Sequence, residues 1–294
     1  MVQHYFLGAN SRDGFSSLYR FFPGSGDDYC HIIKGGPGTG KSSFMKQIGQ
    51  AAEERGFDVH YVLCSGDPDS LDGVYLPALH LAWVDGTAPH VGEPRCFGVD
   101  SDYVNLGSFC RAPFSPEDKE RLALLSARHK RLYTTVYRSL ATAEIVETGE
   151  ASAGCPTVPE DGKKDGCLPE RRFLHAISCH GELYLWNEVK KLCKQIDTLT
   201  SGALQALSRK LEQKQLPAIR CPSPLDATRL EAILLPWADR AFVANIACRG
   251  LEDALGLLRE TKKLHDEIES VIRPYMDFAS LTDYTDLVVR ELFG

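Results

Sequence analysis

Long apolar runs are missing from this chain of 294 residues: none approaches the ~18 to 20 residues needed to cross a bilayer. The opening MVQHYFLGANSRDGF also lacks the basic-then-apolar order of a secretory signal. A soluble, cytoplasmic protein without a membrane partner is therefore expected. Long blocks of one charge are absent as well. The 33 basic and 40 acidic residues leave a net charge of −7, which gives no electrostatic reason to expect a nucleic-acid partner. No C-x-x-C pair occurs among the ten cysteines, which are spread over a chain too long to need a disulfide framework. Cys30, before HIIK, and Cys64, after YVL, read instead as small buried hydrophobes. Cys155, Cys167, Cys179 and His180 match no common zinc-ligand spacing. What is present, 43% hydrophobic and 25% charged residues, suffices for a buried core and about two domains.

The most informative segment runs from Tyr29 to Ile48, YCHIIKGGPGTGKSSFMKQI, and reads as strand, glycine-rich turn and helix. Gly35 to Ser42 fit G-x-x-x-x-G-K-[ST] in the strand–turn–helix context that a phosphate-binding loop requires. Gly35, Gly36, Pro37, Gly38, Thr39, Gly40, Lys41, Ser42 and Ser43 are the expected cradle for a triphosphate. The glycines let successive N–H groups curl around a phosphate, and the helix start adds its positive end. Lys41 would stabilise charge on the β- and γ-phosphates, and Ser42 would offer its hydroxyl to Mg²⁺.

The helix should run from Ser42 to Arg55 and stop at Gly56, with Phe57 to Leu63 as a second parallel strand. After it, CSGDPDSLDG places Asp67, Asp69 and Asp72 where catalytic carboxylates of open α/β sheets lie, although an Asp-rich turn has the same composition. Leu79 to Asp85 is an apolar strand ending in an acid, so Asp85 is expected to join Ser42 in holding Mg²⁺. Gly86 follows where many ATPases carry a water-activating glutamate. Asp67, Asp69 and His90 are the remaining candidates for that task, with Thr87 or His90 as γ-phosphate sensors. No N-K-x-D element for guanine is evident, which favours ATP.

The chain also repeats itself. Gln3-HYFLGANSRDGF aligns with Glu170-RRFLHAISCHGE, and Cys64-SGDPDSLDGVYLPALHLAWVDG resembles Cys221-PSPLDATRLEAILLPWADRAFVAN. The second copy has no G-K-S/T, and Ala244 stands where Asp85 would recur. The expected organisation is a nucleotide-binding half at 1–147, a linker at 148–170 rich in Gly, Pro and charge, and a degenerate second repeat at 171–294. Ser115-Pro-Glu-Asp is a helix start, and that helix should reach about residue 147. Its stripe of Leu122, Leu125, Leu132, Val136 and Leu140 has a counterpart in Leu251, Leu255, Leu258, Ile268, Val271 and Tyr275, so the two helices are expected to pack together. Arg121, Arg128, Arg131 and Arg138 line the other side of the first, either as a solvated face or with one of them as an arginine finger.

Together HYFLGAN, KGGPGTGKSSFMKQIG, CSGDPDSLDG and VDGTAPH resemble an uncharacterised family of bacterial P-loop ATPase-like proteins built from two tandem halves. The resemblance covers nearly the whole chain, strongly in the first half and weakly in the second. It implies ATP binding. Members often carry a second P-loop, from which this chain departs at residues 193–204. The expected fold is α/β, with a P-loop NTPase-type parallel sheet flanked by helices, a degenerate second α/β repeat and long helices. The expected function is ATP binding with slow Mg²⁺-dependent hydrolysis coupled to a change in the relation of the halves. The alternatives are a small-molecule or nucleotide kinase, or a nucleotide-dependent interaction module in which the second half and long helices meet a protein partner.

Overall fold

The computed structural model describes residues 1–23, 27–89, 93–94, 96–159 and 170–294. Its first part comprises β1 (Val2–Phe6), the hairpin β2 (Gly8–Ser11) and β3 (Gly14–Ser17), β4 (Tyr29–Lys34), α1 (Lys41–Glu54), β5 (Val59–Leu63), β6 (Leu71–Leu76), β7 (Leu81–Asp85), β8 (Ser101–Asn105), α2 (Pro116–Leu140) and β9 (Glu144–Glu147). The rest comprises the hairpin β10 (His175–Ser178) and β11 (Gly181–Tyr184), α3 (Trp186–Leu192), β12 (Gln195–Leu199), α4 (Ser201–Gln213), β13 (Ile219–Pro222), β14 (Leu230–Leu235), β15 (Arg240–Ala244), β16 (Ile246–Arg249), α5 (Glu252–Ile272) and α6 (Phe278–Phe293). Among the described residues no helix is long and apolar enough to cross a membrane.

The chain is α/β, but its principal sheet is mixed. Six strands lie in the order β1-β5-β6-β7-β4-β8. β4 has parallel neighbours on both sides, β7 and β8, whereas β6 runs antiparallel between β5 and β7. The expected all-parallel sheet is thus corrected by β6, whose residues Leu71-Asp-Gly-Val-Tyr-Leu76 read from sequence as the tail of a turn. All six are buried, and Asp72 accepts a hydrogen bond from Tyr19 Oη at 2.9 Å, so this carboxylate serves the core. α1 and α6 pack on one face of the sheet, where Phe44, Met45 and Ile48 meet Trp83, Leu76 and Leu281.

A four-stranded sheet, β12-β15-β14-β13, repeats the order and directions of β4-β7-β6-β5. Ladder positions identify equivalents: Ile33 pairs with Asp85, and Leu199 pairs with Ala244. Leu63 faces Leu71, and Pro222 faces Leu230, which matches Cys64 with Ser223 and shifts the sequence alignment to Cys221 by two residues. The tight 3₁₀ turns agree too, with His80 at φ 54° and Asp239 at φ 52°. One segment has no counterpart. β4 leads through Gly35–Gly40 into α1, but β12 reaches α4 through Thr200 alone, whose hydroxyl caps the helix by accepting from Ala203 N at 3.3 Å.

The repeats meet about a local twofold relation. Phe6 and Phe173 exchange backbone hydrogen bonds of 3.0 and 2.8 Å, an antiparallel bridge between equivalent residues. α2 lies along α5, with Val136 and Leu140 beside Leu251, Ala254 and Leu258 at one end and Leu125 beside Leu264, Ile268 and Val271 at the other. Ser115 caps α2 by accepting from Asp118 N at 3.1 Å. The helix ends at Leu140 rather than about residue 147, because the β-branched Ile145 and Val146 enter β9 and pair with β16. In the described part of the expected linker, Ser152 N donates to Thr198 O at 3.1 Å and Ser152 O accepts from Thr200 N at 2.9 Å, along the outer edge of β12.

Candidate functional site

The glycine-rich loop is set by the strand before it and the helix after it. Ile32 and Ile33 fix β4 in the sheet interior, while Phe44, Met45 and Ile48 anchor α1 on its face. Between them the chain reverses through Gly38 at φ 72° and Gly40 at φ 87°, a conformation in which a Cβ is strained. Thr39 Oγ1 donates to Gly36 O at 2.8 Å and braces the turn. Gly40 is the N-cap of α1 and offers no side-chain oxygen, so the first-turn amides are left without a capping acceptor. A loop and helix start of this kind turn backbone amides toward one concavity, the arrangement that can take an anion.

Lys41 Nζ bends back over this loop and donates to Gly35 O at 2.8 Å and Gly36 O at 2.9 Å. It also stands 3.6 Å from Asp85 Oδ2, at the end of the neighbouring parallel strand β7. The other Asp85 oxygen accepts from Thr87 N at 2.8 Å and Thr87 Oγ1 at 2.6 Å. Ser42 Oγ accepts from Leu71 N at 3.0 Å, which ties the first turn of α1 to the start of β6. The structure therefore brings Lys41, Ser42 and Asp85 to the same end of β4 and β7. The carboxylate and hydroxyl are hard oxygen donors of the kind Mg²⁺ takes.

A residue that sequence reading missed completes the site. Gly38 N donates to Glu269 Oε1 at 3.2 Å, across 231 positions of sequence. A Cβ at Gly38 would come within 3.2 Å of Glu269 Cα, so α5 is seated directly on the loop. Ile272 of α5 lies beside Gly36 and Leu281 of α6 beside Gly40. The His265 ring, 3.3 Å from Glu269 Oε1, holds this carboxyl below the usual carboxylate range, helped by Arg273 and the Gly38 amide against the opposing effect of burial. The only sequence signal was the His265/Glu269 pair, one helical turn apart.

Asp67 and Asp69 are in the loop between β5 and β6. They flank the turn after β5 and face His180 and Lys262, with no described contact to Lys41, Ser42 or Asp85. His90 lies outside the described residues. Arg121, Arg128, Arg131 and Arg138 are exposed along α2. No protein family, curated protein or solved structure matches the chain.

Proposed function

We propose that the chain binds Mg-ATP at Gly35–Ser43 and hydrolyses it slowly, with nucleotide binding coupled to release of α5 from the loop. The observation that carries this reading is Lys41 folded over a positive-φ glycine loop, 3.6 Å from Asp85. The loop carbonyls of Gly35 and Gly36 and the strand-end acid Asp85 hold the Lys41 ammonium over the loop, where a phosphate would meet it. On binding, Lys41 turns to the β- and γ-phosphates, and the amides of the loop and of the first turn of α1 point at the same oxygens. Ser42 and Asp85 are the residues that would hold Mg²⁺, which when bound offsets charge on the transferring phosphoryl group.

Slow turnover follows from what surrounds the cradle. Gly86 follows Asp85 where an adjacent glutamate would orient an attacking water, and the side chains of Asp67 and Asp69 face His180 and Lys262 rather than Lys41, Ser42 or Asp85. Coupling follows from Glu269. Its carboxylate accepts from the amide of Gly38 in the loop that would receive phosphate, and two anions repel in one seat. The nucleotide must therefore move Glu269, and with it the adjoining turn of α5. The resemblance of KGGPGTGKSSFMKQIG and VDGTAPH to two-half P-loop ATPase-like proteins points the same way.

Phosphate release from Mg-ATP, measured beside nucleotide binding on the same samples, tests the reading. Wild type should release phosphate, and Lys41→Ala should lower release and triphosphate affinity by at least about tenfold while staying folded. Asp85→Asn should keep part of the nucleotide binding and lose most of its response to Mg²⁺. Wild-type binding and release in a folded Lys41→Ala protein would overturn the assignment, and binding without release in wild type would turn the reading to a nucleotide-dependent interaction module.

A further inference from the structure

The two hairpins turn alike and plug into opposite halves, yet their turns carry different chemistry. In β2–β3, Ser11 Oγ donates to Gly14 O at 2.7 Å and accepts from Asp13 N at 3.2 Å. In β10–β11, Ser178 Oγ donates to Gly181 O at 2.9 Å and accepts from His180 N at 3.2 Å. Each turn then docks on the loop that follows β13 or β5 of the other repeat. Arg12 N donates to Leu225 O at 3.0 Å, and Cys179 N donates to Gly66 O at 3.1 Å. Arg12 is thus the equivalent of Cys179, and Asp226 that of Asp67, since each acid's carbonyl accepts the same turn hydrogen bond, from Arg229 N and Ser70 N.

On the first side the latch is closed by charge. Arg12 Nη1 stands 3.6 Å from Asp226 Oδ2, and Arg12 Nη2 donates to Ala143 O at 2.9 Å. On the second side Cys179 stands where the first has Arg12. Asp67 Oδ1 is buried without a hydrogen-bond partner, while His180 Nε2 stands 3.5 Å from it and 3.2 Å from Asp69 Oδ2. The Cys179 thiol, a ring nitrogen of His180 and a carboxylate oxygen of Asp67 lie within 4.8 Å of one another. Lys262 takes the other oxygen, Asp67 Oδ2, at 3.4 Å and leaves Oδ1 facing the cysteine and histidine.

We propose that Asp67, Cys179 and His180 bind a divalent cation of the zinc class, with Asp69 or water in the fourth position, as the counterpart of the Arg12–Asp226 latch. Sulfur, imidazole nitrogen and carboxylate oxygen are the donor set of zinc, and a thiolate disfavours Mg²⁺ or Ca²⁺. Bonds of about 2.0 to 2.3 Å put tetrahedral donors ~3.3 to 3.8 Å apart, so the cluster needs to close by about 1 Å. His180 is half exposed and free to make that adjustment. With the thiol proton lost, Asp67, Asp69 and the thiolate carry three negative charges beside a Lys262 that Asp266 also pairs, and a divalent ion offsets two of them. The ion would pin the second hairpin to the loop that leads into Leu71, whose amide holds Ser42 Oγ.

The full-length protein, stripped with a chelator and titrated with Co²⁺ and then Zn²⁺, tests the proposal. Wild type should bind one equivalent with a cobalt–thiolate charge-transfer band that Zn²⁺ abolishes, and Zn²⁺ should raise its thermal midpoint. Cys179→Ser should lose the band, and His180→Asn should weaken binding at least tenfold. Asp67→Asn, which keeps every thiol in place, should also lose at least tenfold in affinity and lose the thermal shift. Absence of the band in wild type, or titrations of Cys179→Ser and Asp67→Asn that match wild type, would overturn the proposal.

Discussion

His60 is kept neutral by its place in the sheet. It is 2% exposed, and burial, with Arg172 and the chain's amino terminus adding to it against Glu188, pushes its pKa down to about 3. The unfolded chain takes up a proton near pH 6.5 that the folded one refuses. The stabilisation from His60 is therefore complete above about pH 6.5 and is lost as the pH falls toward 3, at up to about 1.4 kcal/mol per pH unit. His129, also lowered by burial and by His265, acts in the same direction. His175 goes the other way: burial presses its pKa down, but Glu182 and Glu231 overcome that and raise it. The difference between two proteins isolates His60. Denaturant unfolding of wild type and His60→Phe between pH 6.5 and 5 should show a shallower loss of stability in the variant. Equal slopes would mean that His60 is protonated in the fold.

Elements were legible where the signal is local. Ser115-Pro116 marked the start of α2, and the leucine stripe marked the face that α2 turns to α5. β6 was not legible, since Asp72 and Gly73 interrupt it, and only pairing on both sides makes Leu71–Leu76 a buried strand. The end of α2 depended likewise on a distant partner, β16. The seam between the two long helices holds much of the contact between repeats. Leu258, 1% exposed beside Val136 and Leu140, should cost about 2 to 5 kcal/mol when replaced by alanine, read as a lower denaturant midpoint at unchanged slope. A loss under about 1 kcal/mol would place the main contact between repeats outside this seam.

At the scale of the whole molecule, the two repeats share their architecture and differ at the glycine-rich loop. The second repeat has the same strand order and a hairpin, while Gly35–Gly40 has no equivalent and Ala244 stands at the position of Asp85. What the second repeat supplies instead is a helix that reaches the first repeat's loop. The strand, glycine-rich loop and helix from Tyr29 to Glu54 were readable because they are contiguous in sequence. Glu269 was not, because a single acid on an amphipathic helix carries no mark of the loop it will meet, 231 positions away. The same holds for the Asp67, Cys179 and His180 cluster, which only the docking of the β10–β11 turn on the loop after β5 assembles.

If Mg-ATP binds as proposed, its phosphate competes with Glu269 for the loop around Gly38. Calorimetric titration of Mg-ATP into wild type, Lys41→Ala and Glu269→Ala measures that competition. A carboxylate–amide hydrogen bond contributes about 1.5 to 3 kcal/mol, so its removal should tighten Mg-ATP binding by about tenfold or more, while Lys41→Ala weakens it by at least as much. A Glu269→Ala protein that binds Mg-ATP no more tightly than wild type would mean that the carboxylate and the phosphate do not share the loop.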